Sequence, residues 1–306
     1  DSLSCPIALL LSWIPGPKVL YHEHDSPPQE ANGLFQTIVC HCRRHLARRA
    51  DLCVLPNAKR LERLRTELGP LRAAACVWNC PGLYEATTGH QKPALSPLWV
   101  LYHGSIVPDR LPPSVLDALA LLPESVRLRV IGYQTIGHPG YVAWLKSRAQ
   151  SLGVAHRVEF LKPISRWRLL VMTAKADIGL GLIPSRSPDI NFGAMIGASN
   201  KVFDYLACGL PVIVSDLPDW RETFVTPGYG LTCDPNDARS IAAAIRYLVE
   251  HPGQMRAMGE AGRRKILSEW NYETVFAPVF ERICRNSTAA ATAKQPVEPS
   301  AVRHSA

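Results

Sequence analysis

Two short segments carry residue types and spacings suited to holding a phosphorylated ligand. The first is ASNKVFDYLACGLPVIVSD, residues 198–216. Ser199 stands where an N-cap belongs for a helix starting at Asn200. Gly209 stands at the position where left-handed backbone ends a helix, and Pro211 opens the next strand. A helix start presents unpaired N–H groups and a positive dipole end, both of which suit phosphate. Lys201 lies in that first turn. Asp204, one turn further on, is placed to accept hydrogen bonds from two vicinal hydroxyls, as on a ribose. The same residues also fit an ordinary capped helix whose Asp204 makes a salt bridge, and the segment by itself leaves both readings open. The second segment is LYHGSIVPDR, residues 101–110. Gly104 and Ser105 follow a strand directly, so backbone can approach a ligand closely, and Arg110 trails within reach. Position gives this turn its weight, because ligands of open parallel sheets bind beyond the carboxyl ends of the strands.

Other candidates are histidines and cysteines. In KVLYHEHD (18–25), His22 and His24 share one strand face at i, i+2 spacing, and Cys40, His41 and His45 cluster on the following helix. Neither set has the spacing of a closed four-ligand site, and Asp-x-Asp does not occur, so no metal is expected.

These residues need a scaffold, and the pattern supplies one. From residue 98 short β-branched runs alternate with helical stretches, which implies βαβ units and a parallel sheet. The strand candidates are 98–103, 127–132, 157–161, 177–183, 211–216 and 230–234, with helices over 113–122, 139–151, 165–175, 200–208 and 237–250. In the last of these Ile241, Ile245, Leu248 and Val249 line one face, with Asn236 or Asp237 as cap. Upstream, strands over 18–25, 50–56 and 74–78 enclose helices over 29–48 and 57–68, a second and smaller α/β piece. Residues 79–97, rich in Pro and Gly, read as the linker. The apolar window 5–14, CPIALLLSWI, is too short to cross a bilayer and reads as a buried element.

The chain has 306 residues, 47% of them hydrophobic, with 34 Lys and Arg against 26 Asp and Glu for a net charge of +8. That is material for two cores. The positive balance suits an anionic ligand. Arg43, Arg44, Arg48 and Arg49 crowd one helix end, where a solvated cluster is the preferred reading and peripheral contact with an anionic membrane face the minority one. No basic strand interleaved with aromatics appears, so nucleic acid is not expected as a partner. Nine cysteines, an odd number without paired spacing, favour a reducing, cytoplasmic setting, with the inner face of the membrane as the alternative location.

Taken in order, these pieces resemble the retaining glycosyltransferases of GT-B family four, the glycosyl transferases group 1. HGSIVPDR is similar to that family's Gly-Arg/Ser, Pro, Lys/Arg signature, and NKVFDYLACGLPVIVSD to its helix ending in Gly-x-Pro-Val-Ile. PGYGLTCDPNDARSIAAAI and MGEAGRRKILSEWNYE match its closing segments, so the likeness spans about residues 18–285. The resemblance implies a GT-B α/β fold of two Rossmann-like domains with parallel sheets, the N-terminal one incomplete. Its boundaries are 1–90 for the acceptor-side domain and linker start, 91–270 for the donor domain, 271–285 for a helix crossing back, and 286–306 for a disordered tail. The chain start, Asp1-Ser2-Leu3, reads as truncated or processed, and the incomplete domain is expected to leave apolar faces uncovered.

The resemblance further implies a nucleotide-diphosphate sugar as donor substrate, no separate cofactor, and a carbohydrate, lipid-linked or small-molecule acceptor. Gly104, Ser105, Arg110 and Lys201 would meet the diphosphate, Asp204 the ribose hydroxyls, and Asn200 the donor sugar or β-phosphate. His24 would face the reacting sugar, so that His24, Arg110 and Lys201 form the expected catalytic set. Two departures stand out. The family's Glu eight residues before the ribose carboxylate is Ile196 here, and that carboxylate is an Asp, one methylene shorter than the usual Glu. The rival readings are a GT-B-like sugar-nucleotide epimerase, which would need further carboxylates at the cleft, and a sugar-nucleotide-binding protein without catalysis.

Overall fold

In a computed structural model the protein is described over residues 2–27, 33–87 and 97–292. Two parallel sheets organise it. The first has the order β1-β2-β3, from β1 (Leu20–His22), β2 (Leu52–Leu55) and β3 (Ala74–Cys76). Its helices are α1 (Cys5–Leu11), α2 (Leu34–Arg49) and α3 (Ala58–Leu68).

The second sheet has six strands: β4 (Leu98–Ser105), β5 (Val126–Tyr133), β6 (Val158–Leu161), β7 (Ile178–Gly181), β8 (Val212–Ser215) and β9 (Gly230–Cys233). The order is β6-β5-β4-β7-β8-β9 with every pairing parallel. The chain therefore leaves β4 in one direction and returns to its other side at β7. That reversal is the switch point at which open α/β sheets bind ligands. Around the sheet lie α4 (Ser114–Ala120), α5 (Tyr141–Ser151), α6 (Arg166–Thr173), α7 (Ile190–Gly193), α8 (Asn200–Ala207), α9 (Pro218–Trp220), α10 (Ala238–Glu250) and α11 (Pro252–Ser268), and α12 (Tyr272–Thr292) follows them in the chain.

The apolar runs behave as a sheet covered on both faces demands. Val100, Tyr102, Leu128, Val130 and Ile178 pack on one side with Ile241, Ile245 and Leu248 of α10. Leu101, Ile131, Val212 and Val214 pack on the other with Val202, Phe203 and Leu206 of α8. Asp237 caps α10, its side chain accepting from Arg239 N, and Gly209 ends α8 at φ 78°. Val279 of α12 sits with Leu52, Val54, Ala73 and Val77, so this last helix lies against the first sheet.

Several sequence expectations are corrected. Window 5–14 is helical but mostly uncovered. Cys5 is buried, whereas Ile7, Leu10, Leu11, Trp13 and Ile14 are each more than half exposed. Ala8 and Leu9 pack against the core of the first sheet and the Arg49 guanidinium lies over the Trp13 ring, while those five side chains stay largely open to solvent. The arginines of α2 are not a simple solvated end. Arg43 is 3% exposed and bonds Glu23 (2.7 Å) and Glu67 (3.0 Å). Arg44 pairs with Glu67, Arg48 donates to Leu68 O, and Arg49 to Ser12. A guanidinium this deep needs a carboxylate, and Glu23 in the β1 segment supplies it. The linker holds a 3-10 turn, Leu83–Thr87, and its remainder, 88–96, lies outside the described residues. The helix starting at Tyr272 continues to Thr292, past the expected end at 285, and the rest of the tail, 293–306, lies outside the described residues.

Gly132 and Gly104 face each other across β4 and β5, and a Cβ on Gly132 would lie 1.8 Å from Gly104 O. We predict that Gly132→Ala lowers the unfolding midpoint, costing about 1–3 kcal/mol through forced strand separation. Gly253→Ala, in α11 with nothing within 4 Å, should instead be neutral or stabilise by up to about 1 kcal/mol. Thermal melts of the two variants side by side check both.

Candidate functional site

The carboxyl ends of β4 and β5 and the amino end of α8 meet at the switch point. Tyr205 places α8 there. Its ring lies against β7 so closely that a Cβ on Gly179 would come within 2.2 Å of it. Its hydroxyl accepts a hydrogen bond from His103 N (3.0 Å). Lys201, one turn earlier on the helix, is thereby carried under the last residues of β4. Its Cε and Nζ come within 3.6 Å of where a Gly104 Cβ would stand, and Gly104 adopts φ 119°. Any side chain at that position would be strained and would press on the ammonium.

Lys201 is only 7% exposed. Its Nζ donates to Tyr102 Oη (3.2 Å) and lies 4.3 Å from the centre of that ring. Among the described residues no carboxylate pairs with it. Burial, and then the positive charge of Arg110, hold its pKa well below the ordinary lysine value. Arg110 is half-buried, packed over Phe192 of α7 (5.5 Å). Ser105 ends β4, and its carbonyl accepts from Tyr102 Oη. Gly104 and Ser105 are thus the last rungs of the strand, and the turn proper begins at Ile106. Asn200 opens α8 and is exposed. Ser199 occupies the N-cap position in extended conformation without a side-chain cap bond, so the expected cap is not made. The helix's first N–H groups are left without that hydroxyl.

Asp204 takes the salt-bridged alternative. It is 1% exposed, and its two oxygens receive Arg166 Nη1 (2.6 Å) and Nη2 (2.7 Å). Burial pushes its carboxyl up to about 6, with Arg166 pulling the other way. His103 Nε2 lies 3.5 Å from the same carboxylate without a hydrogen-bond partner, and burial and then Lys201 drive that imidazole down to about 3. The other edge of the Arg166 guanidinium bonds Glu85 (2.8 and 3.0 Å). Against the burial of its own guanidinium, Glu85 and Asp204 hold Arg166 firmly charged.

On the first-domain side, His24 lies on an exposed turn after β1, its ring 4.2 Å from that of His22. Burial, then the neighbouring His24, lowers the His22 imidazole to about 4. No group of three or more His, Cys, Asp or Glu is arranged for a metal among the described residues. The His24 carbonyl accepts from Arg60 Nη1 (2.6 Å), and Arg60 also donates to Ala194 O and Asn191 O. Asn191 adjoins Phe192, against which Arg110 packs, so His24 is held toward the Arg110 edge of the site. Asn57 and Asn79 bond Ile196 O and Ala198 O. Gly197 is pressed between Pro56 O and Trp78. Residues 189–198 therefore form the seam between the two sheets. Ile196, where the family carries a Glu, is buried in that seam and brings no charge.

A cavity of about 470 Å³ opens beside this cluster, beyond the ends of β5 and β6. Its lining includes Gly132, Tyr133, Gln134, Val142, Lys146, Phe160, Lys162 and Pro163.

The family model described as Glycosyl transferases group 1 matches residues 89–265, more than half of the chain. The chain belongs to that family. It is 25% identical over 186 residues to a glycogen synthase of Mycobacterium tuberculosis, 60% of this chain and 42% of that one. It is 31% identical over 149 residues to a GDP-mannose-dependent alpha-(1-6)-phosphatidylinositol monomannoside mannosyltransferase of Mycolicibacterium smegmatis, 48% and 37% of the two chains. The chain thus spans about two fifths of the length of these curated relatives. In fold it is similar to Anabaena Alr3699/HepE, solved in complex with UDP and glucose (TM-score 0.71, 18% identity, 93% of this chain and 76% of that one). The sucrose-phosphate synthase from Thermosynechococcus elongatus is comparable (0.70, 18%, 94% and 72%). The fold is GT-B, and at this identity the likeness is one of fold.

Sequence reasoning missed Arg166, Glu85, His103 and Arg60. Arg166 follows the end of β6 as Arg110 follows β4, and that shared position was the readable signal. For Asp204 the sign of its pH effect is set. A carboxyl whose folded pKa lies above the ordinary 3.8 takes up a proton on folding, so its contribution is most favourable near pH 4 and is lost as pH rises through about 6. We predict that the protein loses stability relative to Asp204→Asn, by about 2 kcal/mol, between pH 4 and 7. Chemical unfolding of both proteins across that range checks it. The opposite slope would mean that the Arg166 pairing outweighs burial.

Proposed function

We propose that this site binds a nucleotide-diphosphate sugar and that the protein transfers the sugar, with retention, to a glycan, lipid-linked or small-molecule acceptor. The observation that carries the reading is the Lys201 ammonium, buried beneath Gly104 with no carboxylate paired to it among the described residues. A buried cation lacking an acidic partner is costly, and a diphosphate supplies the missing charge. Arg110, the Gly104 backbone and the uncapped start of α8 converge on the same position. The cavity past β5 and β6 offers the adjoining volume for a nucleoside, with Tyr133 and Phe160 as apolar faces.

Cleaving the sugar–phosphate bond leaves negative charge on the diphosphate. Fixed cations that meet the growing charge stabilise the transition state more than the ground state. Lys201 and Arg110 fill that role. In this reading Asn200, exposed at the helix start, meets the β-phosphate or sugar, and His24 meets the sugar from the other side of the seam. The leaving phosphate takes the acceptor's proton on the same face. Relatives support the donor class in their printed names: one is GDP-mannose-dependent, and a solved neighbour holds UDP-glucose. Among the described residues no helix is long and apolar enough to cross a membrane. The odd cysteine number favours a reducing compartment.

The epimerase reading needs free carboxylates at the cleft, whereas Asp204 and Glu85 are both held by Arg166. Lys201→Met keeps the volume and removes the buried charge. It should leave the melting temperature unchanged or higher, and should weaken a nucleoside diphosphate by about ten- to a hundred-fold while sparing the parent nucleoside. Calorimetry with both ligands checks it, since equal losses for the two would remove Lys201 from the phosphate site. Release of nucleoside diphosphate from the donor only when acceptor is added separates transfer from epimerisation and from binding alone.

A further inference from the structure

The carboxylate expected to take the ribose hydroxyls is not open to them. Asp204 lies 1% exposed beneath a guanidinium that forks onto both its oxygens. The guanidinium's other edge is seated on Glu85, which is 12% exposed, whereas Arg166 itself is 38% exposed. Of the three groups, the arginine is therefore the one that a ligand meets. Its five N–H groups can be counted. Nε bonds Glu85 Oε1, one hydrogen of Nη2 bonds Glu85 Oε2, the other bonds Asp204 Oδ1, and one hydrogen of Nη1 bonds Asp204 Oδ2. The second Nη1 hydrogen is uncommitted among the described residues.

Location matters as much as the count. Arg166 opens α6 three residues after Pro163, which lines the cavity past β5 and β6. Asp204 sits one helical turn beyond Lys201. Arg166 thus stands between a residue that follows the cavity lining and the helix that carries Lys201, which is the stretch a ribose would occupy with the base in the cavity and the phosphates at Lys201.

We propose that Arg166 is the residue that recognises the donor ribose, donating its free Nη1 hydrogen to a ribose hydroxyl oxygen, and that Asp204 and Glu85 are positioning residues that hold the guanidinium. This rests on the nucleoside-diphosphate reading above. Two carboxylates suit the task. Each holds one edge of the plane, so the guanidinium is fixed before the ligand arrives and loses little freedom on binding. An Asp in place of the longer Glu also makes sense, because the carboxylate need reach only the arginine.

The test is discrimination between a ribonucleoside diphosphate and its 2′- and 3′-deoxy analogues, measured by calorimetry on the full chain. Wild type should bind the ribonucleotide about ten- to a hundred-fold more tightly than one of the analogues, the effect of a hydrogen bond to a charged group. Arg166→Met should abolish that ratio by weakening the ribonucleotide alone, with the analogue unchanged. Arg166→Lys keeps a cation on Asp204, and so guards against misfolding, but lacks the planar fork and should also lose most of the ratio. Glu85→Gln should reduce it partially. If Arg166→Met or Arg166→Lys keeps or increases the ratio, Asp204 is itself the ribose ligand, uncovered when the arginine leaves, and the inference falls. If wild type binds neither nucleotide, it is the nucleoside-diphosphate reading that fails.

Discussion

A lysine ammonium held out of water beside a glycine, with an aromatic ring and a phenol in place of a carboxylate, is the constraint around which the six-stranded sheet and its helices are arranged. Desolvating such a charge costs several kcal/mol, and contact with the Tyr102 ring returns only part of that. The position is enforced from both sides. Tyr205 locks α8 to β7 and to the backbone of His103, and the Gly104–Gly132 pair lets the ends of β4 and β5 close over the ammonium. Arg110 adds like charge from the rim and drives the lysine further toward its neutral form. Two cations that no carboxylate among the described residues pairs with are poised for an anionic ligand, and their place at the strand-order reversal is where a doubly wound sheet leaves room for one.

The second organising feature is the seam between the sheets. Arg60, nearly inaccessible to water, spends its guanidinium on three backbone carbonyls, two from the 189–198 segment and one from the turn that carries His24. Asn57 and Asn79 do the same for Ile196 and Ala198. This bonding satisfies a segment that has little regular structure of its own and would otherwise bury unpaired carbonyls. It also ties the His24 turn to the Arg110 edge. Where the family carries a glutamate in this segment, the present chain uses Ile196 as packing.

Charged groups divide into two uses. Among the described residues Lys201 is left without an acidic partner, whereas Arg43 and Arg166 are each gripped by two carboxylates. Breaking such a buried pair leaves an uncompensated charge, so these networks define a geometry more than they add stability. In the first domain the geometry is that of α2 against β1. At the switch point of the six-stranded sheet it is the orientation of the Arg166 guanidinium between Asp204 and Glu85.

Much of this was legible in the order of residues. Apolar runs such as LWVLYH and PVIVSD are too continuous for anything but strands covered on both faces. Gly104, Arg110 and Lys201 were identified by standing just past the ends of such strands or at a helix start. Those inferences depend on local periodicity and on backbone preferences that each segment carries with it. The sequence was less informative where the outcome depended on a partner far along the chain. Asp204 could serve a ribose or a salt bridge equally well until Arg166, 38 residues away, and Glu85, 81 residues from Arg166, were brought beside it. Window 5–14 looked like core by hydropathy, yet the fold leaves most of its large apolar side chains more than half exposed. Side-chain chemistry and local rhythm therefore determined the elements and the type of ligand they suit. Tertiary structure alone decided which charges are paired and which are left free, because burial and pairing depend on long-range contacts that no local pattern encodes.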